Sequence, residues 1–193
     1  MPSRSALYRQ EAHGVFSLQL YGKSPCRSIV DQVLRVDQWN AAEVGGEGAT
    51  AVDTAIRAAG IAKRGKTAAI HNDFEQKIAQ IVRPCLRRMW GRDLARCEGT
   101  QLIRYGPGGH YNPHKDGDDD GYASRYFTVL CYLNDNFQGG KTRFPSLGYS
   151  ATPVTGRALI FPARFVHGGE PVLSGEKLVF LAWLCGPPPL LWI

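Results

Sequence analysis

Two periodicities divide the chain. Ile29, Val30, Val33, Leu34 and Trp39 recur at helical spacing after Ser24-Pro25, an N-cap followed by proline at the first helical position, and predict a first helix that ends near Trp39. Ile78, Ile81, Val82, Leu86 and Met89 form the stripe of a second helix, from Phe74 to about Trp90, with Asn72 or Asp73 as its cap. Pro84 should kink that helix, because proline removes a backbone donor and collides with the preceding turn. Between the two, Asn40 to Lys66 is rich in Ala and Gly and poor in large apolar residues, which predicts a mobile or edge segment. From Thr100 onward the pattern changes to short runs of Val, Leu, Phe and Tyr broken by Gly and Pro. These predict a strand over Arg125–Asn134, a turn and strand over Gly139–Pro145, a strand over Gly156–Phe161 and a last strand over Lys177–Cys185. Helices first and strands after imply an α+β, mainly β fold, a double-stranded β-helix (jelly-roll) core with supporting N-terminal helices. The expected organisation is one domain over 1–193: a helical lead-in (1–98), a jelly-roll core (about 99–186) and an extended Pro-rich tail (187–193).

A chain of 193 residues can bury a core without metal or disulfide staples. Its five cysteines are odd in number, scattered and without a C-x-x-C pair, which argues for a reducing compartment. No stretch approaches the length of a membrane span, so a soluble, cytoplasmic protein with no membrane partner is expected. The formal charge is +6, with basic residues gathered at 63–66 and 83–96. Such a surface can steer nucleic acid or acidic substrates, yet a solvated helix face explains the same runs and is the preferred reading. The oligomeric state stays open.

The chemistry lies in His114, Asp116 and His167. Two imidazoles and a carboxylate can occupy one face of an octahedral Fe(II), leaving three positions for a cosubstrate and O₂. The H-x-D pair alone is weak, since about 0.3 such pairs arise by chance in this composition, and any one of these histidines taken singly is more readily a surface or hydrogen-bonded residue. His114 follows Pro113 and Asp116 precedes Gly117, which places both on a turn. Two other metal readings compete. Asp116, Asp118, Asp120 and Gly121 repeat the first half of a calcium loop, but Phe127 stands where its bidentate Glu should be. His110 and His114 would suit zinc, but no H-E-x-x-H helix accompanies them.

The neighbours of the triad decide between these readings. Tyr105, Gly108, Tyr111, His114, Asp116, Tyr132-Leu-Asn134, Gly139-Gly140, Thr142, Phe144-Pro145, His167 and Lys177 stand in this order. The set resembles the 2-oxoglutarate and Fe(II)-dependent dioxygenases, and within them the prolyl 4-hydroxylase-like branch. Upstream, Trp39, Val44, Val52, Asp53 and Arg57 resemble the lead-in of such enzymes, while His110 stands where the family often has Gln or Lys. The resemblance implies Fe(II) on His114, Asp116 and His167, with 2-oxoglutarate and O₂ as cosubstrates and ascorbate as reductant. It also implies conversion of 2-oxoglutarate to succinate and CO₂ coupled to hydroxylation of a C–H bond. Related halogenases lack the carboxylate that Asp116 supplies, so hydroxylation is expected, with ring closure or desaturation by the same oxidant as alternatives.

The far carboxylate of 2-oxoglutarate needs a cation inside the barrel. Lys177 fits, because it opens the apolar strand Leu178-Val-Phe-Leu-Ala-Trp183, where an inward charge is costly unless paired; otherwise it is an ordinary strand-start lysine in solvent. By resemblance Tyr105, Tyr132 and Thr142 add hydroxyl hydrogen bonds, although each tyrosine could equally be a core aromatic. Nucleic-acid demethylases of the superfamily anchor the cosubstrate with arginines after the distal His; none occurs here after Arg164. No nucleic acid is therefore expected, and the resemblance implies as substrate a peptidyl proline, or a free amino acid or natural-product intermediate. Specificity is expected in loops at 40–70 and 117–125, and Arg143 and Arg164 are candidate contacts. The competing class is a metal-binding jelly roll that senses a ligand without turnover.

Overall fold

The computed structural model describes residues 8–35, 39–46, 49–91, 94, 96–117 and 125–186. In chain order the hairpin β1 (Arg9–Ala12) and β2 (Val15–Gln19) precedes α1 (Lys23–Val33). Five short strands follow, β3 (Trp39–Ala41), β4 (Val44–Gly46), β5 (Ala49–Ala51), β6 (Arg57–Ala58) and β7 (Gly60–Ala62). The second helix is α2 (Arg64–Lys77), continued through a π turn at Ile78–Val82 into α3 (Arg83–Trp90). The rest is β8 (Arg96–Tyr105), β9 (His110–His114), β10 (Arg125–Tyr132), β11 (Gln138–Gly139), β12 (Thr142–Phe144), β13 (Tyr149–Ala151), β14 (Arg157–Pro162), β15 (His167–Gly169), β16 (Val172–Ser174) and β17 (Lys177–Cys185).

Two sheets carry the architecture. The larger runs β1-β2-β14-β10-β17-β8-β7-β3 and the smaller β13-β12-β15-β9-β6. Alternation along the central strands sends one set of side chains to each side of the larger sheet. Leu102, Phe127, Val129, Leu178, Phe180 and Ala182 pack with the helices through Cys26, Ile29, Val33, Ile70, Phe74 and Ile78. Ile103, Tyr105, Tyr132, Leu159, Phe161, Val179 and Leu181 form the second cluster with Phe144 of the smaller sheet. Because β17 is covered on both sides, its sequence reads as a continuous apolar run. Phe180, fully buried and stacked on Phe74 at 4.5 Å, contributes about 1.5–3 kcal/mol by burial alone.

The jelly roll with supporting helices is as expected, and β17 has the expected bounds. Several expectations need correction. The first helix ends at Val33, and Trp39 lies on β3, paired with Ala62. Helix α2 starts at Arg64, ten residues before Phe74, and its buried face begins with Thr67 and His71, each holding a polar partner. Thr67 Oγ1 donates to Lys63 O (3.0 Å), and His71 Nδ1 meets Thr100 Oγ1 (2.6 Å). Pro84 is accommodated by the π turn, in which Arg83 N–H reaches back to Ile78 O. The lead-in is not purely helical, since β2 pairs with β14 and β7 with β8. The 40–66 segment does supply sheet edges, β3 and β6, but also buries Ala42, Arg57 and Ala62. Residues 118–124 and 187–193, and with them the acidic loop and the tail, lie outside the described residues.

Candidate active site

Antiparallel pairing of β9 with β15 puts His167 directly across from His114. Close approach of these strands requires Gly168: a Cβ there would lie 2.8 Å from Tyr111 O and 3.1 Å from Pro113 N. His114 is thus the last residue of a strand rather than part of a turn, and only Asp116 sits on the bend beyond it. That bend is tied down by Asp116 N–H and Gly117 N–H, which both donate to Ala163 O.

The three side chains converge, with candidate ligand atoms all within 4.8 Å of one another. Asp116 Oδ1 is 3.4 Å from His114 Nε2, and Oδ2 is 3.4 Å from His167 Nε2. Asp116 and His167 are buried, and His114 is partly exposed. Each imidazole points Nδ1 at a main-chain carbonyl, Asn112 O for His114 (2.8 Å) and Phe165 O for His167 (2.9 Å). A carbonyl only accepts, so Nδ1 carries a proton in each ring, and Nε2, which offers a lone pair when the ring is neutral, is the atom turned to Asp116. Thr128 Oγ1 donates to Asp116 Oδ2 (2.6 Å). Burial acts to raise the Asp116 pKa, but the charge and hydrogen bonds of His167 and His114 outweigh it and hold the carboxyl well below its ordinary range. Burial pulls His114 down, whereas at His167 the same effect is overcome by Asp116, which raises it. A buried anion with two inward Nε2 atoms is a donor set that suits a divalent cation. His110 is not in this group; its nitrogens lie near Gly108 O and Ala55 O, which removes the zinc pair with His114.

Lys177, at the start of β17, is 2% exposed. Its Nζ donates to Gly140 O (2.7 Å) and lies 5.0 Å and 5.7 Å from the Tyr105 and Tyr132 rings. No carboxylate among the described residues pairs with it, and burial lowers its pKa to about 7. Tyr132 Oη and Thr142 Oγ1 are 2.6 Å apart and both buried, and Thr142 pairs across to Gly169 beside His167. The four cosubstrate candidates are therefore gathered around one buried cation, beside the strand that carries the distal histidine.

A cavity of about 850 Å³ opens on the other side of the triad. His114 and Asp116 line it, together with Arg57, Gln101, Tyr111, Arg125, Leu181 and Trp183, and the β3–β5 segment forms its rim. The Tyr111 ring stacks on His114 (3.6 Å between centroids), and the Arg57 guanidinium lies over Tyr111 at 4.7 Å. Arg125 is held by a two-pronged ion pair with Glu98, donates to Asp116 O (3.2 Å) and stacks on Trp183 at 3.8 Å. Arg143 and Arg164 are exposed and do not line this cavity. The arginines that do, 57 and 125, went unassigned by motif, as did Thr128 and Trp183; the only advance sign of Arg57 was its place in the lead-in likeness.

Residues 100–185 match the family model described as the 2OG-Fe(II) oxygenase superfamily. These 86 residues are less than half of the chain, and over them it resembles that superfamily. A putative prolyl 4-hydroxylase of Acanthamoeba polyphaga mimivirus is 36% identical over 116 residues, 50% of this chain and 48% of that protein. The chain spans about half the length of that relative and 24% of the bovine prolyl 4-hydroxylase alpha-1 subunit. Among solved structures, the Trichoplax adhaerens prolyl hydroxylase in complex with a hypoxia-inducible-factor peptide superimposes with a TM-score of 0.74 at 19% identity, covering 89% of this chain and 83% of its own. The viral collagen prolyl hydroxylase of Paramecium Bursaria Chlorella virus-1, a 2-oxoglutarate complex, gives 0.67 at 22%, covering 90% and 96%. These likenesses show the jelly-roll fold. No described helix is long and apolar enough to cross a membrane.

Proposed function

We propose that this protein is a 2-oxoglutarate- and Fe(II)-dependent dioxygenase, one domain over 1–193, that hydroxylates a prolyl group in a peptide, protein or small molecule. The observation that carries the reading is the buried Asp116 carboxylate flanked by two imidazoles whose Nε2 atoms face it. His114, Asp116 and His167 would hold Fe(II), and Lys177, Tyr105, Tyr132 and Thr142 would hold 2-oxoglutarate. Bound there, the metal supplies the redox chemistry by which 2-oxoglutarate and O₂ give succinate, CO₂ and a hydroxylated carbon.

The chain's own residues account for the rest. Main-chain carbonyls orient both imidazoles, and Thr128 fixes the Asp116 carboxylate. Lys177 neutralises a carboxylate that burial would otherwise penalise. Tyr111, Leu181 and Trp183 give the cavity apolar surface on which a substrate ring can rest. Ascorbate as reductant and a cytoplasmic setting belong to the same proposal, the latter supported by five free thiols. The test is succinate formation by Fe(II)-loaded protein with 2-oxoglutarate and ascorbate, with and without a proline-containing peptide pool, against His114→Ala. Turnover that is insensitive to His114→Ala would remove the assignment.

A further inference from the structure

Arg57 is a second buried cation in the site, beside the Tyr105 hydroxyl. The residue is only 6% exposed and lines the cavity beside the triad. Strand β6 pairs with β9 so that Arg57 faces Tyr111, whose ring also stacks on His114. The contacts of its guanidinium are to neutral groups: one nitrogen donates to Glu43 O (3.2 Å), another to Gln101 Oε1 (3.3 Å), and the Tyr105 hydroxyl and Tyr111 ring lie beside it. Nε is buried with no partner. No carboxylate among the described residues pairs with it. Arg125, in the same cavity, is neutralised by Glu98. A guanidinium that is permanently charged, buried and unpaired is costly, and the usual resolution is an anion that arrives with the ligand.

Resting on the oxygenase reading above, we propose that Arg57 anchors a carboxylate carried by the substrate itself. The substrate is then a prolyl compound that ends at the oxidised ring, either a free imino acid or a peptide with a C-terminal proline. A guanidinium takes a carboxylate in a planar, two-point fashion, which would fix the ring's orientation to the triad as well as its affinity. An internal prolyl residue offers only an amide carbonyl at this position and leaves the charge unanswered.

The test uses matched acid and amide pairs, L-proline with L-prolinamide and a short peptide ending in proline with its C-terminal amide, in the succinate assay with His114→Ala as blank. The acid should be preferred by about 10–100-fold in half-saturating concentration. Arg57→Gln should abolish the difference, and Arg57→Lys, which keeps a charge but not the planar fork, should restore part of it. The two pairs separate free imino acid from peptide terminus. Stimulation by acid and amide alike, or by neither, with His114-dependent background turnover intact, overturns the role of Arg57 and leaves the oxygenase standing. A raised half-saturating 2-oxoglutarate concentration in Arg57→Gln with the acid preference retained assigns the residue to the cosubstrate and also overturns the proposal. Absence of His114-dependent succinate under every condition sinks the oxygenase reading and this inference together.

Discussion

Replacing Lys177 by methionine removes a cation that the fold holds almost wholly out of water, against a single carbonyl acceptor at 2.7 Å. Burial takes its pKa from 10.5 to about 7. At 1.36 kcal/mol per unit this is a penalty on the charged form of about 5 kcal/mol. The unfolded chain keeps the lysine proton up to its ordinary value, while the folded chain releases it near 7. Between these values the unfolded state binds more protons and stability rises with pH; below 7 both states hold the proton and the full penalty applies. Lys177→Met should therefore be more stable than the parent at pH 6, by up to several kcal/mol, and the gap should narrow to about 2 kcal/mol at pH 9, closing only near the ordinary lysine value. The ligand should reverse the balance. A carboxylate bound beside Lys177 favours the protonated form, so 2-oxoglutarate binding takes up a proton above pH 7 and its affinity falls toward tenfold per pH unit. In Lys177→Met the same carboxylate is left unpaired, at about 3–5 kcal/mol, or about 10²–10³-fold in affinity. Urea unfolding of the apo protein across pH 6–9 measures the first effect. Calorimetric titration of 2-oxoglutarate into Mn(II)-loaded protein, in buffers of different ionisation enthalpy, measures the second. Affinity that is flat from pH 7 to 9, or unchanged in the variant, would refute the reasoning.

Three further outcomes follow from the geometry. Thr128→Val deletes the donor to Asp116 Oδ2 and should weaken metal binding about 10–100-fold, read by competitive metal titration; unaltered affinity would show that this hydrogen bond does not orient the carboxylate. Tyr132→Phe and Thr142→Val each break one short buried hydroxyl pair, so their effects on 2-oxoglutarate affinity should be non-additive by about 0.5–3 kcal/mol; strict additivity would separate the two residues. Gly168→Ala puts a methyl against the Tyr111 carbonyl and should lower stability by about 1–3 kcal/mol while weakening metal binding, and a variant with wild-type melting temperature and metal affinity would deny that strand spacing sets the triad.

The strand half of the fold was legible because β10, β14 and β17 are apolar runs punctuated by Gly and Pro, a pattern that tertiary context reinforces. The helical half was less so. Thr67 and His71 bury polar side chains, Thr67 against the turn before it and His71 against the distant Thr100, so no apolar stripe announces the first half of α2. Strands β3, β6 and β7 are two or three residues long, too short for alternation to register, yet they close both sheets. At the site, His114, Asp116, His167 and Lys177 were readable because their spacing is local or family-like. Arg57 and Arg125 were not, since what singles them out is burial and the presence or lack of an acidic partner, and neither has a sequence signature.

The acceptors that set both imidazole tautomers are peptide carbonyls, of Asn112 and Phe165. Peptide groups persist through substitution, so the contacts to the imidazoles do not themselves depend on which side chains stand at 112 and 165. What the triad depends on is the path of the main chain, set by strand pairing and by Gly168. Variation in the surrounding loops can therefore retune what enters the cavity while the chemistry beneath it stays in place, a division that lets one scaffold explore many substrates.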